Sequence, residues 1–166
     1  MGRWRPPRIK SSPYITTEGM ESLRAEIRQL WKIERPQVTE TVYQAALNGD
    51  RSENGDYIYG KKRLREIDSR VRYLTKRIEE LTVVEYLPQQ EGKVFFGAWI
   101  ELENDDGKKA TYRIVGADEL APSKGYISVD SPMAKALIGK SEDDEIIVST
   151  PEGAQEWYIN TIRYNK

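Results

Sequence analysis

The sequence predicts a two-part α+β protein, an N-terminal antiparallel helical hairpin followed by a five-stranded sheet carrying one short helix. Three observations predict it. Apolar residues recur at alternating steps of three and four over residues 57–81, whereas beyond Pro88 the apolar period changes to two. Charged residues make up 32% of the 166 positions against 38% apolar, with a mean hydropathy of −0.72, which is too polar for one compact globule and fits long solvated helices.

Residues 1–13, MGRWRPPRIKSSP, mix proline, arginine and serine without apolar periodicity, so a flexible basic arm is expected there. Thr16 or Thr17 reads as an N-cap with Glu18 in the first turn, and Met20, Leu23, Ile27 and Leu30 form the stripe of an amphipathic helix. Pro36 should bend this helix or locally break its ladder, Val38, Val42, Ala45 and Ala46 resume its pattern, and Asn48-Gly49 stops it. Tyr57, Gly60, Leu64, Ile67, Val71, Leu74, Ile78 and Leu81 then form an a/d heptad seam. With Leu64 at a, Arg63, Arg70 and Arg77 fall at g, and Arg65 and Arg72 at b. About ten polar residues join the two helices, too few to return the chain to a parallel start, so the pair is antiparallel. A 25-residue helix would make this arm about 37 Å long.

The expected divisions are the arm 1–13, a coiled-coil domain 14–83, a linker 84–91 containing Pro88, and a sheet domain 92–166. Strands are expected at Val94–Leu102, Thr111–Val115, Tyr126–Asp130, Glu145–Ser149 and Trp157–Tyr164, with turns at Asp106-Gly107 and Glu152-Gly153. Ser131-Pro132 is an N-cap followed by proline at the first helical position, and Gly139 ends the short helix that it starts. The candidate core is Phe95, Trp99, Ile114, Ile127, Val129, Leu137, Ile147, Trp157 and Ile159.

The chain has no cysteine and no histidine, which removes disulfides, thiolate nucleophiles, the usual zinc sites and histidine-based triads. Any metal chemistry must use oxygen ligands, pointing to magnesium, manganese or calcium. No apolar run is long enough to span a bilayer, so a soluble cytoplasmic protein is expected. Twenty-six basic and 27 acidic residues nearly cancel, but residues 57–81 hold eight basic side chains against four acidic ones. One helix is locally basic in a protein that is not.

Chemistry concentrates at the hairpin tip, residues 49–57, where Asp50, Glu53 and Asp56 lie among Ser52, Asn54 and Tyr57. A structural reading makes Asp50-x-x-Glu53 a capping box within an ordinary turn. A functional reading takes the carboxylates as half of a composite magnesium site, completed when the rod delivers them to a macromolecule that already holds a metal. The basic flank, Lys61, Lys62, Arg63, Arg65, Arg70, Arg72, Lys76 and Arg77, would then oppose phosphate repulsion. Alternatively it is a solvated face with i,i+4 pairs such as Asp68 with Arg72. Asn104-Asp105-Asp106-Gly107 is a hairpin turn rather than a calcium loop, because the EF-hand spacing fails. The tyrosines and tryptophans of the last domain read as core and sheet-face residues.

The run Gly49-Asp50-Arg51-Ser52-Glu53-Asn54-Gly55-Asp56-Tyr57 with Lys61-Lys62-Arg63-Leu64-Arg65-Glu66-Ile67-Asp68 resembles the bacterial Gre transcript-cleavage factors. Glu34-Arg35-Pro36, residues 91–99 and Asp130-Ser131-Pro132-Met133-Ala134 resemble the GreB branch of that family, over about residues 14–166. The resemblance implies an N-terminal coiled coil that enters the secondary channel of RNA polymerase and an FKBP-like C-terminal domain that docks at the channel rim. It implies that the tip stimulates the polymerase's own cleavage of the RNA 3′ end in backtracked complexes, with no nuclease activity of the factor alone. Asp50 would help hold a magnesium ion shared with polymerase and not bound stably by the factor alone. Glu53 would position that metal or the attacking water. Ser52, Asn54, Asp56 and Tyr57 would shape the loop or contact polymerase, and the basic flank would guide the extruded RNA; a monomer is expected. Gly55 stands where the branch has alanine, which would loosen the helix start by up to ~1 kcal/mol. Two other functions remain open from the sequence: a channel-binding regulator without cleavage activity, and prolyl isomerisation by the FKBP-like domain.

Overall fold

The computed structural model describes residues 4, 7 and 9–164. The chain divides into two compact units, one formed by residues 20–81 and the other by residues 1–19 together with 82–166. The hairpin is therefore an insertion in the globular unit. Residues 14–19 fall in the same compact unit as the five-stranded sheet, so the first helix starts in one unit and runs into the other.

In the hairpin unit, helix α1 (Thr17–Arg28) continues through a π-helical turn (Gln29–Glu34) into α2 (Arg35–Leu47), and α3 (Gly55–Glu80) returns. Thr16 caps α1 as expected, its Oγ1 accepting from the Gly19 N–H at 3.1 Å. The local break of the ladder expected at Pro36 takes the form of the π-helical turn just before it. A proline would clash with the carbonyl four residues earlier and cannot donate to it. The wider turn has already shifted the ladder, because the Arg35 N–H donates to Leu30 O. Along α3 the d residues Gly60, Ile67 and Leu74 are buried and the a residues Tyr57, Leu64, Val71 and Ile78 are half-buried. Met20, Leu23, Leu30 and Ala45 are buried on the opposing helices. A Cβ on Gly60 would lie 2.4 Å from Val42 Cγ2, so the absence of a side chain there lets α2 and α3 approach closely.

In the globular unit, β1 (Tyr14–Ile15) pairs in parallel with β2 (Thr82–Val83). Strands β3 (Trp99–Glu103), β4 (Lys109–Val115), β5 (Tyr126–Ser128), β6 (Glu145–Thr150) and β7 (Gly153–Arg163) form a five-stranded sheet in the order β5-β4-β3-β7-β6. All its pairings are antiparallel except β4 with β5. Helix α4 (Pro132–Leu137) is capped by Ser131, whose Oγ accepts from the Ala134 N–H at 3.2 Å. This curled sheet, with the helix packed on it through Ala134 and Leu137, is the FKBP-like arrangement. Asn104 Oδ1 accepts from the Asp106 and Lys108 N–H groups, which makes residues 104–107 the expected hairpin turn.

The core is Val94, Ala98, Ile100, Leu102, Ile114, Ala134, Leu137, Ile146, Val148, Trp157 and Ile159. Three expected core residues are misplaced. Ile147 is 65% exposed because β6 buries Ile146 and Val148 instead. Phe95 and Trp99 are half-buried because β3 and its approach bury the even positions Val94, Ala98, Ile100 and Leu102. A shift of one residue moves every side chain of a strand to the other face. The first expected strand also starts late: residues 94–98 are not strand, and Gly97, at φ +87, turns the chain before β3. On the outer face, Trp99 lies between Arg163 (5.7 Å) and Arg113 (5.8 Å), and Tyr126 meets its edge at 5.7 Å.

Six of the thirteen residues of the expected flexible arm lie outside the described residues. Its last residues are held: Ser12 N donates to Asp130 Oδ2 at 2.8 Å, Ser12 Oγ to Asp130 Oδ1, and Pro13 O accepts from the Thr82 N–H. The Glu119 carboxylate accepts from Thr16 N and Oγ1 and from the Gly116 N–H, fastening the same segment further along.

Candidate functional site

At the hairpin tip α2 ends where the Asn48 N–H donates to Ala45 O, and Gly49, at φ +125, reverses the chain. That φ is available to glycine and costly for other residues. Asp50 Oδ1 then accepts from both the N–H (2.9 Å) and the hydroxyl (2.8 Å) of Ser52, a closed Asx turn. The expected capping box at Asp50 and Glu53 is not formed. The cap of α3 is Asn54, whose Oδ1 accepts from the Tyr57 N–H at 3.2 Å. Its Nδ2 donates to Ala45 O at 2.7 Å, tying the start of α3 to the end of α2.

This rearranged cap has a chemical consequence. Glu53 is released from structural duty, and its carboxylate has no hydrogen bond or ion pair among the described residues; the same holds for Asp56. Asp50, Ser52, Glu53 and Asp56 are all exposed, whereas Asn54 and Tyr57 are half-buried beneath them. The Ser52 N–H, and after it the Ser52 hydroxyl, holds the Asp50 carboxyl below the usual aspartate range. Asp50 is thus ionised and oriented through Oδ1, with Oδ2 free to meet a cation. Asp56, in the first turn of α3, lies at the positive end of the helix dipole. Arg51, which sequence reasoning passed over, places its guanidinium 5.6 Å from the Tyr57 ring centroid and stiffens the loop. Gly55 has ordinary backbone geometry and open space at its Cβ, so nothing in the structure requires glycine there.

Among the described residues no three carboxylates converge to hold a metal. The donor set suits a shared magnesium site: hard carboxylate oxygens, one of them pre-oriented, on an exposed loop with room for water and for donors from elsewhere.

The basic flank of α3 splits into two groups. Arg63, Arg70 and Arg77 are committed to Glu34 (2.5 Å), Glu26 (2.8 Å) and Glu80 (3.6 Å) respectively. Lys61, Lys62, Arg65, Arg72 and Lys76 are exposed and form no ion pair among the described residues. Asp68, expected to pair with Arg72 along the helix, is bound by Arg35 across the hairpin at 2.9 Å, and Arg72 acts on it only through space. The pairs at Glu34 and Arg35 could have been anticipated from one signal. On the first helix the apolar stripe steps eight residues from Leu30 to Val38, where a heptad steps seven. One extra residue must be absorbed between them, as the π-helical turn does.

Two family profiles match the chain. The description "Transcription elongation factor, N-terminal" covers residues 13–83, and "Transcription elongation factor, GreA/GreB, C-term" covers residues 89–164. The chain is 61% identical over 158 residues to transcription elongation factor GreB of Haemophilus influenzae, covering 95% of this chain and 100% of that protein. With transcription elongation factor GreB of Pasteurella multocida it shares 62% over 158 residues, at the same coverage. Among solved structures it is similar to the GreA factor homolog 1 protein of Thermus thermophilus, with 23% identity, a TM-score of 0.40, and 90% of this chain and 97% of that one covered.

Proposed function

The chain belongs to the GreA/GreB family of transcription elongation factors, and from that premise we propose that its hairpin enters the secondary channel of bacterial RNA polymerase. There its tip stimulates hydrolysis of the 3′ RNA in backtracked complexes by the polymerase active site. The observation that carries this reading is the tip chemistry: an ionised, pre-oriented Asp50 beside an uncommitted Glu53, both exposed at the end of a helix of 26 residues, about 39 Å long.

Asp50, with Glu53, would hold on this side a magnesium ion shared with polymerase, which supplies Lewis-acid activation for phosphodiester hydrolysis. The chain's own residues do the rest of the factor's work. Ser52 keeps Asp50 charged and aimed, so that little reorganisation is needed when the loop arrives. The Glu53 carboxylate, free of internal bonds, is available to orient the attacking water or to accept its proton. Asn54 and Tyr57 hold the loop against α2 and α3, and Asp56 faces the polymerase catalytic region. Along α3, Lys61, Lys62, Arg65, Arg72 and Lys76 offer charge to the extruded RNA, while Arg63, Arg70 and Arg77 divide theirs between the RNA and their acidic partners. The factor is a cytoplasmic monomer that activates polymerase and does not cut RNA alone; no helix among the described residues is long and apolar enough to cross a membrane.

The test uses stalled, backtracked complexes with labelled RNA. The protein accelerates release of 3′ fragments, and the Asp50→Asn, Glu53→Gln variant binds polymerase with unchanged affinity but loses the acceleration. Full acceleration by that variant would overturn the reading. If the unaltered protein binds and inhibits without cleavage, it is a channel-binding regulator instead.

A further inference from the structure

We propose that the π-helical turn at residues 29–34 and the two ion pairs beside it, Glu34–Arg63 and Arg35–Asp68, form an axial clamp that sets where Asp50 and Glu53 stand. The inference rests on the function proposed above, and makes Glu34 and Arg35 positioning residues for it.

The need for a clamp follows from where the seam is thin. On the outgoing helix no residue between Leu30 and Ala45 is buried; Val38 and Val42 are only half-buried. Apolar burial is non-directional and resists sliding or rotation of two helices weakly. Over this stretch the tip half of the rod draws its core register mainly from the close approach of Val42 to Gly60.

The ion pairs supply what the seam lacks. With Leu64 at a, Arg63 is at g and Asp68 at e, the two flanks of the a/d seam on α3. Glu34 reaches the first flank, with its Oε1 2.5 Å from Arg63 Nε, and Arg35 reaches the second, with its Nε 2.9 Å from Asp68 Oδ1. Two adjacent residues thus straddle the seam. Their polarities are opposite, acid to base on one side and base to acid on the other. A slip or rotation that moves Glu34 toward Asp68, or Arg35 toward Arg63, brings like charges together. Each pair has further support: Arg63 also bonds Glu66 at 3.3 Å, and Arg35 stacks over Trp31 at 4.9 Å. The π-helical turn makes the arrangement possible, because its extra residue lets Leu30 and Val38 both face α3 while Glu34 and Arg35 fall between them. Pro36, with no N–H to place, holds the turn in this form.

The experiment exchanges the charges of one pair. Arg35→Asp is compared with Arg35→Asp combined with Asp68→Arg, and Arg35→Gln serves if the reversed single variant does not fold by circular dichroism. The maximal cleavage rate and the half-saturating factor concentration are measured on backtracked complexes. The single variant loses about fivefold or more of the maximal rate while half-saturation moves by less than about twofold, since misplacing reacting groups by about an ångström costs rate rather than affinity. The charge-exchanged variant recovers the rate. A single variant at full rate, or a charge-exchanged one that stays impaired, overturns the clamp.

A second readout does not depend on polymerase. The chain has no cysteine, so nitroxides can be placed specifically at the exposed positions Thr41 and Lys62 through introduced cysteines. The distance distribution between them broadens in Arg35→Asp and narrows again on charge exchange. An unchanged distribution overturns the clamp even if the proposed function holds. An unaltered protein that fails to stimulate cleavage overturns that function, while the distances still decide the clamp.

Discussion

At the scale of single residues, the tip shows how one amide can redirect two carboxylates. Because Asn54 takes the cap of α3 and also binds Ala45 O, Asp50 turns to Ser52 and the Glu53 carboxylate is left unbonded. The tip's importance was legible in the sequence, but the allocation of roles was not: Asp50-x-x-Glu53 and Asn54-x-x-Tyr57 are both plausible caps. Local pattern does not decide between them, whereas the contact with Ala45, nine residues away, does. The Ser52 bonds predict a pH behaviour. They favour the carboxylate form of Asp50, so its folded pKa lies below the ordinary 3.8. Their contribution is full above that value and is lost as pH falls through the lowered one. Carbon-detected NMR titration of the intact protein should give an Asp50 midpoint below 3.8, and Ser52→Ala should bring it back toward that value.

At the scale of elements, helices were read more fully than strands. The seam from Tyr57 to Leu81 was legible because a helix that buries one stripe repeats it over many turns, and each turn confirms the phase. A strand offers few residues, and in Ile146-Ile147-Val148 three apolar neighbours fit either face; only packing on α4 and the rest of the sheet chooses Ile146 and Val148. The π-helical turn is hidden in the sequence because Pro36 already accounts for a break between the two apolar stripes. Gly60 is the element-scale counterpart of a missing core residue, since its emptiness seats Val42. Gly60→Leu should therefore destabilise the hairpin by about 1–3 kcal/mol through overpacking, despite the helix propensity gained. Val42→Ala in the same chain should return part of that loss, as measured by urea unfolding followed by circular dichroism.

At the scale of the whole molecule, the two units differ in how they are held. The sheet unit has a continuous buried core of eleven residues, whereas the hairpin relies on a single seam with few fully buried positions. Their local stabilities should differ accordingly. Native-state hydrogen exchange should show the amides of residues 35–70 exchanging at least about tenfold faster than those of β3, β4 and β7. Equal protection throughout would mean that the rod gains more from its ion pairs than exposed pairs ordinarily give. The polar composition pointed to such a rod, but not to the path of the chain through it. The pairing of β1 with β2 sets an order of biogenesis. On the ribosome Tyr14 and Ile15 emerge first and must wait for Thr82 and Val83, and by then both strands of the coiled coil have been made. The helical hairpin can thus pair before β1 and β2 meet.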